Sequence, residues 1–200
     1  MAKDFLTAVK DRRSYYEIKK ESSVSDERIQ EIVELSLLHT PSAFHSQTAK
    51  AVVLFGKEHD KLWDIVAETL KKVVPAEAFA KTQEKLDGFK AGYMTILTFT
   101  DDAITKTLEE NFPLYADNFG VWAEQACGML QLSLWTALDA EGMGGSLQHY
   151  NPLIDAAVKK EWNVPDSWRL RGQQPFGVPY GEPGNKEFLP LSERLKIYRS

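Results

Sequence analysis

Two arginines and a serine, Arg12-Arg13-Ser14, form the first group of side chains suited to chemistry. Two guanidinium groups and a hydroxyl can together satisfy several oxygens of one phosphate group. The alternative is a solvent-exposed helix end, where the helix dipole also favours arginine. The stretch is therefore a candidate anion-binding site.

A second polar stretch, Pro41 to Gln47, lies between a predicted helix and a predicted strand. Ser42, His45 and Gln47 offer hydrogen-bond donors and acceptors beside the flat apolar ring of Phe44, a mixture that suits a planar polar heterocycle. The alternative is an ordinary connection, in which Pro41 ends the helix and the hydroxyls form local turns. The residues alone leave both interpretations open.

A glycine-rich turn over residues 142–145 precedes Gln148 and His149. Glycine lets the backbone approach a ligand closely, although the same residues also serve as a helix cap. The only cysteine, Cys127, lies in an apolar helical stretch and is predicted to be a core residue. We expect no metal site, because the spacing of a metal-binding motif is absent from the four histidines, His39, His45, His59 and His149.

The composition is that of an ordinary globular protein, with 200 residues, 43% hydrophobic and 26% charged. This length fits one domain, residues 1–200. The net charge of −5 provides no global basic field for nucleic acid or an anionic membrane. The sequence starts without an apolar signal-peptide core, and no apolar run reaches membrane-spanning length. We therefore expect a cytoplasmic protein with neither nucleic acid nor membrane as a partner.

Hydrophobic spacing predicts the elements that position these groups. Helices are predicted over 4–13, 25–40, 59–74, 75 to about 90, 105–111, 118–141 and 152–162. Strands are predicted over 51–56, 93–100 and 167–176, with a brief strand over 146–150 and an edge strand over 194–198. The continuous apolar run over 51–56 indicates a central strand. Helices outnumber strands without regular βαβ alternation, which predicts an α+β fold.

The order of these features is more specific than any one of them. Arg-Arg-Ser comes first, Pro-Ser-x-x-x-Ser-Gln follows the next helix, and Gly-x-Gly-Gly-Ser follows a long core helix before a Gly/Pro tail with Lys186. This order resembles the FMN-dependent nitroreductase family over essentially the whole chain. Residues 12–16, 41–47 and 142–151 resemble one branch, which contains the fungal fatty-acid-repression-mutant type and the bacterial copper-inducible nitroreductases.

The resemblance implies a nitroreductase-like fold with a central, mostly antiparallel sheet flanked by helices. It further implies an intertwined homodimer, with a C-terminal strand contributed to the partner and two FMN sites at the interface. Matching motifs assign the phosphate or ribityl chain to Arg12, Arg13, Ser14 and Lys186, with Arg194 as a further phosphate candidate. They assign the flavin ring or ribityl chain to Ser42, Phe44, His45 and Gln47, and the ring edge, through backbone groups, to Leu147, Gln148 and His149.

The implied activity is NAD(P)H-dependent reduction of nitroaromatic or quinone-like acceptors, by ping-pong hydride transfer through flavin N5. FMN carries this chemistry, so no catalytic side chain is assigned. One alternative is a flavin-binding regulatory or oxidative-stress-response protein with incidental reductase activity. Another is an α-rich interaction module without a cofactor. The chain departs from the common family pattern at His45, where the family has asparagine, and at Thr48-Ala49, where it has Pro-Trp.

Overall fold

A computed structural model describes residues 3–199 of the chain. Its helices are α1 (Phe5–Asp11), α2 (Asp26–His39), α3 (Gly56–Leu70), α4 (Ala76–Lys90), α5 (Asp102–Asn111), α6 (Ala116–Ala140), α7 (Asp155–Trp162) and α8 (Leu191–Arg194). Its strands are β1 (Ile18–Lys19), β2 (Ala49–Phe55), β3 (Met94–Asp101), β4 (Gly144–Gly145) and β5 (Trp168–Pro179). Short 3-10 turns cover Ala43–His45 and Pro113–Tyr115.

The strands form one antiparallel sheet in the order β1-β5-β3-β2, and β4 pairs with the end of β5. Helices cover both faces of this sheet. The predicted α+β class with a mostly antiparallel sheet is therefore confirmed. Within residues 3–199, no helix combines the length and apolar character needed to cross a bilayer.

The strand predicted over 51–56 forms as β2, but it lies at the edge of the sheet and not at its centre. Its continuous apolar character has another cause, because alternate side chains enter two different cores. Val52 and Leu54 pack in the core beneath α3, α4 and α7. Ala51 and Val53 pack in the core beneath α2 and α6. The apolar pattern of β2 therefore reflects the burial of both faces of the strand, and not a neighbouring strand on each side.

The boundaries of the long helices follow the sequence closely. Ser25 caps α2 as predicted, and its side chain accepts a hydrogen bond from the backbone N–H of Arg28 at 3.2 Å. The helix predicted over 118–141 forms as α6, whose buried residues run along its whole length. The helix predicted from residue 105 starts three residues earlier, because Asp101 ends β3 and caps α5 directly.

Two short strand predictions are wrong within the described chain. The brief strand expected over 146–150 is replaced by β4, two residues earlier, and by one isolated pairing of Gln148 with Gln173. The residues expected as an edge strand, 194–198, contain the end of α8 and an irregular segment. No strand within residues 3–199 pairs with this segment. Exchange of a C-terminal strand with a partner stays a prediction.

Candidate functional site

The Arg12-Arg13-Ser14 stretch is joined directly to the glycine-rich turn. Ser14 forms a parallel pairing with Gly145, and the backbone N–H of Tyr15 donates to the carbonyl of Gly145 at 2.9 Å. Gly145 is required for the close packing of this turn on β5, since an added Cβ would lie 2.5 Å from the Cδ1 atom of Phe176. Two stretches that are far apart in sequence therefore form one local structure.

The two arginines carry positive charge without a carboxylate partner. Arg12 stacks on the indole of Trp135, with its Cζ atom 4.3 Å from the ring centroid. Arg13 donates a hydrogen bond to the carbonyl of Gly184 in the tail. Among residues 3–199, neither arginine forms an ion pair within 4.0 Å, whereas Arg28, Arg169 and Arg171 all do. Their charge is available to an anion.

Lys186 and Arg194 lie in the exposed tail. Lys186 follows Gly184, the acceptor of the Arg13 hydrogen bond, by two residues. Its ammonium lies 5.8 Å from the ring of Phe188. Arg194 is the last residue of α8, and among residues 3–199 it forms no ion pair within 4.0 Å. The assignments of Lys186 and Arg194 to a phosphate therefore stay predictions.

The segment Leu147–His149 is fixed to β5 by a pair of backbone hydrogen bonds. Gln148 N donates to Gln173 O at 2.8 Å, and Gln173 N donates to Gln148 O at 2.9 Å. The Gln148 side chain is buried and donates to the Ser146 hydroxyl at 3.0 Å. The N–H of Gln148 is therefore occupied within the chain. The backbone groups of its neighbours, Leu147 and His149, are better placed to meet a ligand.

The Pro41–Gln47 loop has a turn of its own and an unusual backbone. The Ser42 hydroxyl accepts from the backbone N–H of Gln47 at 2.9 Å, so the local-turn interpretation holds for Ser42. Phe44, His45 and Gln47 have positive φ values of 58°, 50° and 51°. Each left-handed non-glycine residue costs roughly 1–2 kcal/mol, a strain that is typical of functional sites.

Phe44 lies in a cluster of aromatic rings at the start of α6. Its ring is stacked on Trp122 with an interplanar angle of 20° and a centroid distance of 6.0 Å. Phe112 and Phe119 lie closer, at 5.0 and 5.3 Å. About half of the Phe44 surface remains exposed. The loop therefore presents a flat apolar ring, as the sequence predicted.

α6 separates the ring of Phe44 from Arg12. Phe44 stacks on Trp122 near the start of the helix, and Arg12 stacks on Trp135 near its end. Thirteen helical residues at 1.5 Å each place the two tryptophans about 20 Å apart. The structure thus unites residues 12–14, 145–149 and the tail around residue 184, and it places the ring of Phe44 near the opposite end of α6 from Arg12.

Comparison with known proteins identifies the family. The model of the "Nitroreductase family" matches residues 9–178. The chain belongs to the nitroreductase family. Nitroreductase FRM2 of Saccharomyces cerevisiae is 34% identical over 188 residues, which cover 93% of this chain and 93% of the relative. The structure of nitroreductase CinD from Lactococcus lactis in complex with nicotinic acid matches with a TM-score of 0.92 and 45% identity, over 98% of this chain and 100% of that chain.

Membership of the nitroreductase family confirms the resemblance and the fold, and it makes the chain an oxidoreductase of nitroaromatic substrates. The family generally uses flavin cofactors. The residues present fit a flavin nucleotide, because unpaired cations suit its phosphate and a half-exposed aromatic ring suits its flat ring system. Among residues 3–199 no cluster of histidine, cysteine and carboxylate side chains is arranged for a metal ion.

Two buried groups of this nitroreductase lie apart from the site. Cys127 is 1% exposed, and burial raises the pKa of its thiol to about 11, which confirms a core residue and disfavours a thiolate nucleophile. His59 is fully buried between α3 and β3, and burial lowers its pKa to about 4. Its Nε2 faces the carbonyl of Lys90, which can only accept, so the proton of the neutral ring lies on Nε2.

Two residues that matter to the site of this nitroreductase were not singled out from the sequence. Trp135 has no local sequence signal, because its contact with Arg12 joins distant parts of the chain. Gln173 anchors the ring-edge segment from inside β5. A usable signal existed for Gln173, since two adjacent glutamines stand in the middle of the predicted strand over 167–176. Buried glutamines need partners, and these partners mark an organised segment.

Proposed function

We propose that this nitroreductase is an FMN-dependent oxidoreductase that uses NADH or NADPH to reduce nitroaromatic or quinone-like acceptors. One observation carries the proposal. Arg12 and Arg13 form no ion pair with a carboxylate among residues 3–199, and they lie beside the Gly145 turn. When bound, FMN would supply the redox chemistry, a ping-pong transfer of hydride from the nicotinamide through flavin N5 to the acceptor.

The phosphate end of the proposed site consists of Arg12, Arg13, Ser14 and Lys186. Guanidinium groups favour phosphate because they donate parallel hydrogen bonds to two of its oxygens. The hydrogen bond from Arg13 to Gly184 supports the assignment of Lys186, since it draws the tail toward the arginines. We keep Arg194 as a secondary phosphate candidate, contributed by the tail in a dimer.

The ring end of the proposed site has two parts. Leu147 and His149 offer backbone groups at one edge, and Gln148 holds that edge on β5. Ser42, Phe44, His45 and Gln47 supply the second part. Because α6 separates Trp122, which stacks on Phe44, from Trp135, which stacks on Arg12, by about 20 Å, we assign this loop to the cofactor of a second copy. This arrangement supports a homodimer with both sites at its interface.

An exposed apolar groove supports the same dimer. It lies between α1, α2 and α6, has a volume of about 630 Å³, and is open to solvent. Phe5, Leu35 and Leu132 line it with exposures of 73%, 47% and 48%. A second copy would remove these side chains from water. We further propose that the enzyme works in the cytoplasm, where NADH and NADPH are supplied.

Cofactor uptake and turnover test the proposal. The purified protein should be yellow or should become yellow on addition of FMN, and it should oxidise NADH or NADPH in the presence of an acceptor. Suitable acceptors are a quinone and 4-nitrophenol, which CinD holds in a second structure that matches with 44% identity and a TM-score of 0.88. Failure to bind FMN contradicts the proposal. Turnover no faster than that of free FMN favours the regulatory alternative.

A further inference from the structure

We propose that Trp135 is a positioning residue for Arg12, and that its indole face holds the guanidinium group in place for the phosphate of a flavin nucleotide. The inference rests on the proposed function and adds a residue to it. Trp135 belongs to α6, whereas Arg12 follows α1, so the contact joins the core helix to the anion-binding stretch.

The geometry is that of a cation held on an aromatic face. The Cζ atom of Arg12 lies 4.3 Å from the ring centroid of Trp135, well inside the range of about 6 Å for this interaction. Trp135 is itself held against the core formed by α2, α6 and the sheet. The backbone N–H of Arg12 donates to the carbonyl of Ala8 at 2.9 Å and ends α1. Both ends of the contact are therefore fixed.

The presence of tryptophan at position 135, and not of another apolar residue, supports a role in holding a cation. The Nε1–H of Trp135 is buried and has no hydrogen-bond partner among the described residues. An unpaired buried N–H is unfavourable, and a phenyl ring would fill apolar space without it. The advantage of indole at this position lies in its face, because tryptophan attracts cations more strongly than phenylalanine or tyrosine.

The carboxylates near Arg12 form ion pairs with Lys3, and Arg12 therefore has no carboxylate partner among the described residues. The Lys3 ammonium lies 3.4 Å from an oxygen of Asp11 and 3.6 Å from an oxygen of Asp139. Asp139 follows Trp135 by one helical turn and is close enough to feel the charge of Arg12. With both carboxylates paired to Lys3, the guanidinium rests on an uncharged surface. Its N–H groups keep their capacity for an anion.

This arrangement prepares Arg12 for a phosphate before the ligand arrives. An arginine side chain that is free in solvent loses conformational entropy when it binds a phosphate. A side chain that is already stacked on an aromatic ring has lost part of this entropy before binding. Removal of the indole should therefore weaken the recognition of phosphate specifically. Recognition of the flavin ring should be unaffected, because the ring contacts lie elsewhere.

The test compares FMN with riboflavin, which has the same ring but no phosphate. Dissociation constants of both are measured by flavin fluorescence on the full-length protein, freed of bound flavin. We expect Trp135→Leu to weaken FMN about tenfold and riboflavin less than twofold, and Trp135→Phe to weaken FMN by an intermediate factor. Trp122→Leu, on the same helix, is the matched control and should leave the FMN-to-riboflavin affinity ratio unchanged. Equal weakening of both flavins by Trp135→Leu, or no weakening, overturns the assignment.

A double-mutant cycle identifies Arg12 as the residue through which Trp135 acts. In an Arg12→Ala background, Trp135→Leu should have no further effect on FMN affinity. A further tenfold loss in that background overturns the proposal. If Trp135→Leu fails to fold, Trp135→Phe and Arg12→Lys provide the same comparison, because each weakens the stack and should lower the FMN-to-riboflavin ratio. If the wild-type protein binds neither flavin, the proposed function itself is contradicted. This outcome differs from a failure of the Trp135 assignment, in which the wild-type protein still binds FMN.

Discussion

Gln173 holds the segment that follows the glycine-rich turn, since its side-chain Oε1 accepts the backbone N–H of Tyr150 at 2.7 Å while its own backbone pairs with Gln148. Gln173 is fully buried. Substitution by an apolar residue would leave the N–H of Tyr150 buried without a partner. This one side chain therefore fixes the path of the chain past the proposed flavin-ring edge.

We expect Gln173→Met to lower the free energy of unfolding by about 1–3 kcal/mol, the cost of an unsatisfied buried N–H. Urea unfolding measures this change, and hydrogen exchange should become faster over residues 147–150. Gln83→Met on the exposed surface of α4 is the control and should change stability by less than about 0.5 kcal/mol. Equal effects of the two substitutions would contradict the anchoring role.

Gly145 and Gly128 form a second matched pair. A Cβ at Gly145 would lie 2.5 Å from Phe176 Cδ1 and 2.6 Å from the carbonyl of Pro175, whereas nothing lies within 4 Å of a Cβ at Gly128. Gly145→Ala should therefore cost about 1–3 kcal/mol of stability, and FMN affinity should fall because Ser14 is displaced. Gly128→Ala within α6 should be neutral or stabilise by up to about 1 kcal/mol. Thermal unfolding and FMN titration of both variants check this, and a tolerated Gly145→Ala would contradict the close approach.

Stability should fall in acid because of His59. Its pKa is lowered from 6.5 to about 4 by burial, so the unfolded chain binds the proton more readily between these values. The free energy of unfolding contributed by His59 is present above pH 6.5 and is lost as the pH falls toward 4, by up to about 3 kcal/mol.

Urea unfolding between pH 4 and pH 8 measures this dependence. His59→Gln should flatten the profile below pH 6.5, while Gln83→Met, which removes no titratable group, should leave the slope unchanged. A His59→Gln protein with the wild-type slope would show that other groups govern acid unfolding.

The groove between α1, α2 and α6 should be an interface in solution. Leu132→Glu places a charge on its exposed apolar surface and should shift the protein from dimer to monomer in sedimentation experiments. FMN affinity should fall in parallel, because each site would lack the second copy's loop. Val73→Glu, exposed after the end of α3, should leave the dimer intact. A monomeric Leu132→Glu protein with full FMN affinity would contradict the shared site.

Local patterns in the sequence predicted the long helices, because amphipathic spacing and caps such as Ser25 act within a few residues. The neighbours of β2 could not be predicted, since an apolar run reports covered faces and not strand order. The same limit applied to the site, where only the features that depend on local sequence could be predicted. Arg12, Ser14 and the glycine turn were found as motifs, but the stack of Arg12 on Trp135 and the anchoring by Gln173 depend on contacts between distant segments.

The length of α6 has a genetic consequence for the proposed dimer. Each chain would give its arginines to one cofactor and its Pro41–Gln47 loop to the other. A subunit carrying Arg12→Ala and a subunit carrying Phe44→Ala would then complement each other when mixed. One site of the hybrid would combine both defects, and the other would be wild type, so two impaired proteins would together restore one tight FMN site per dimer.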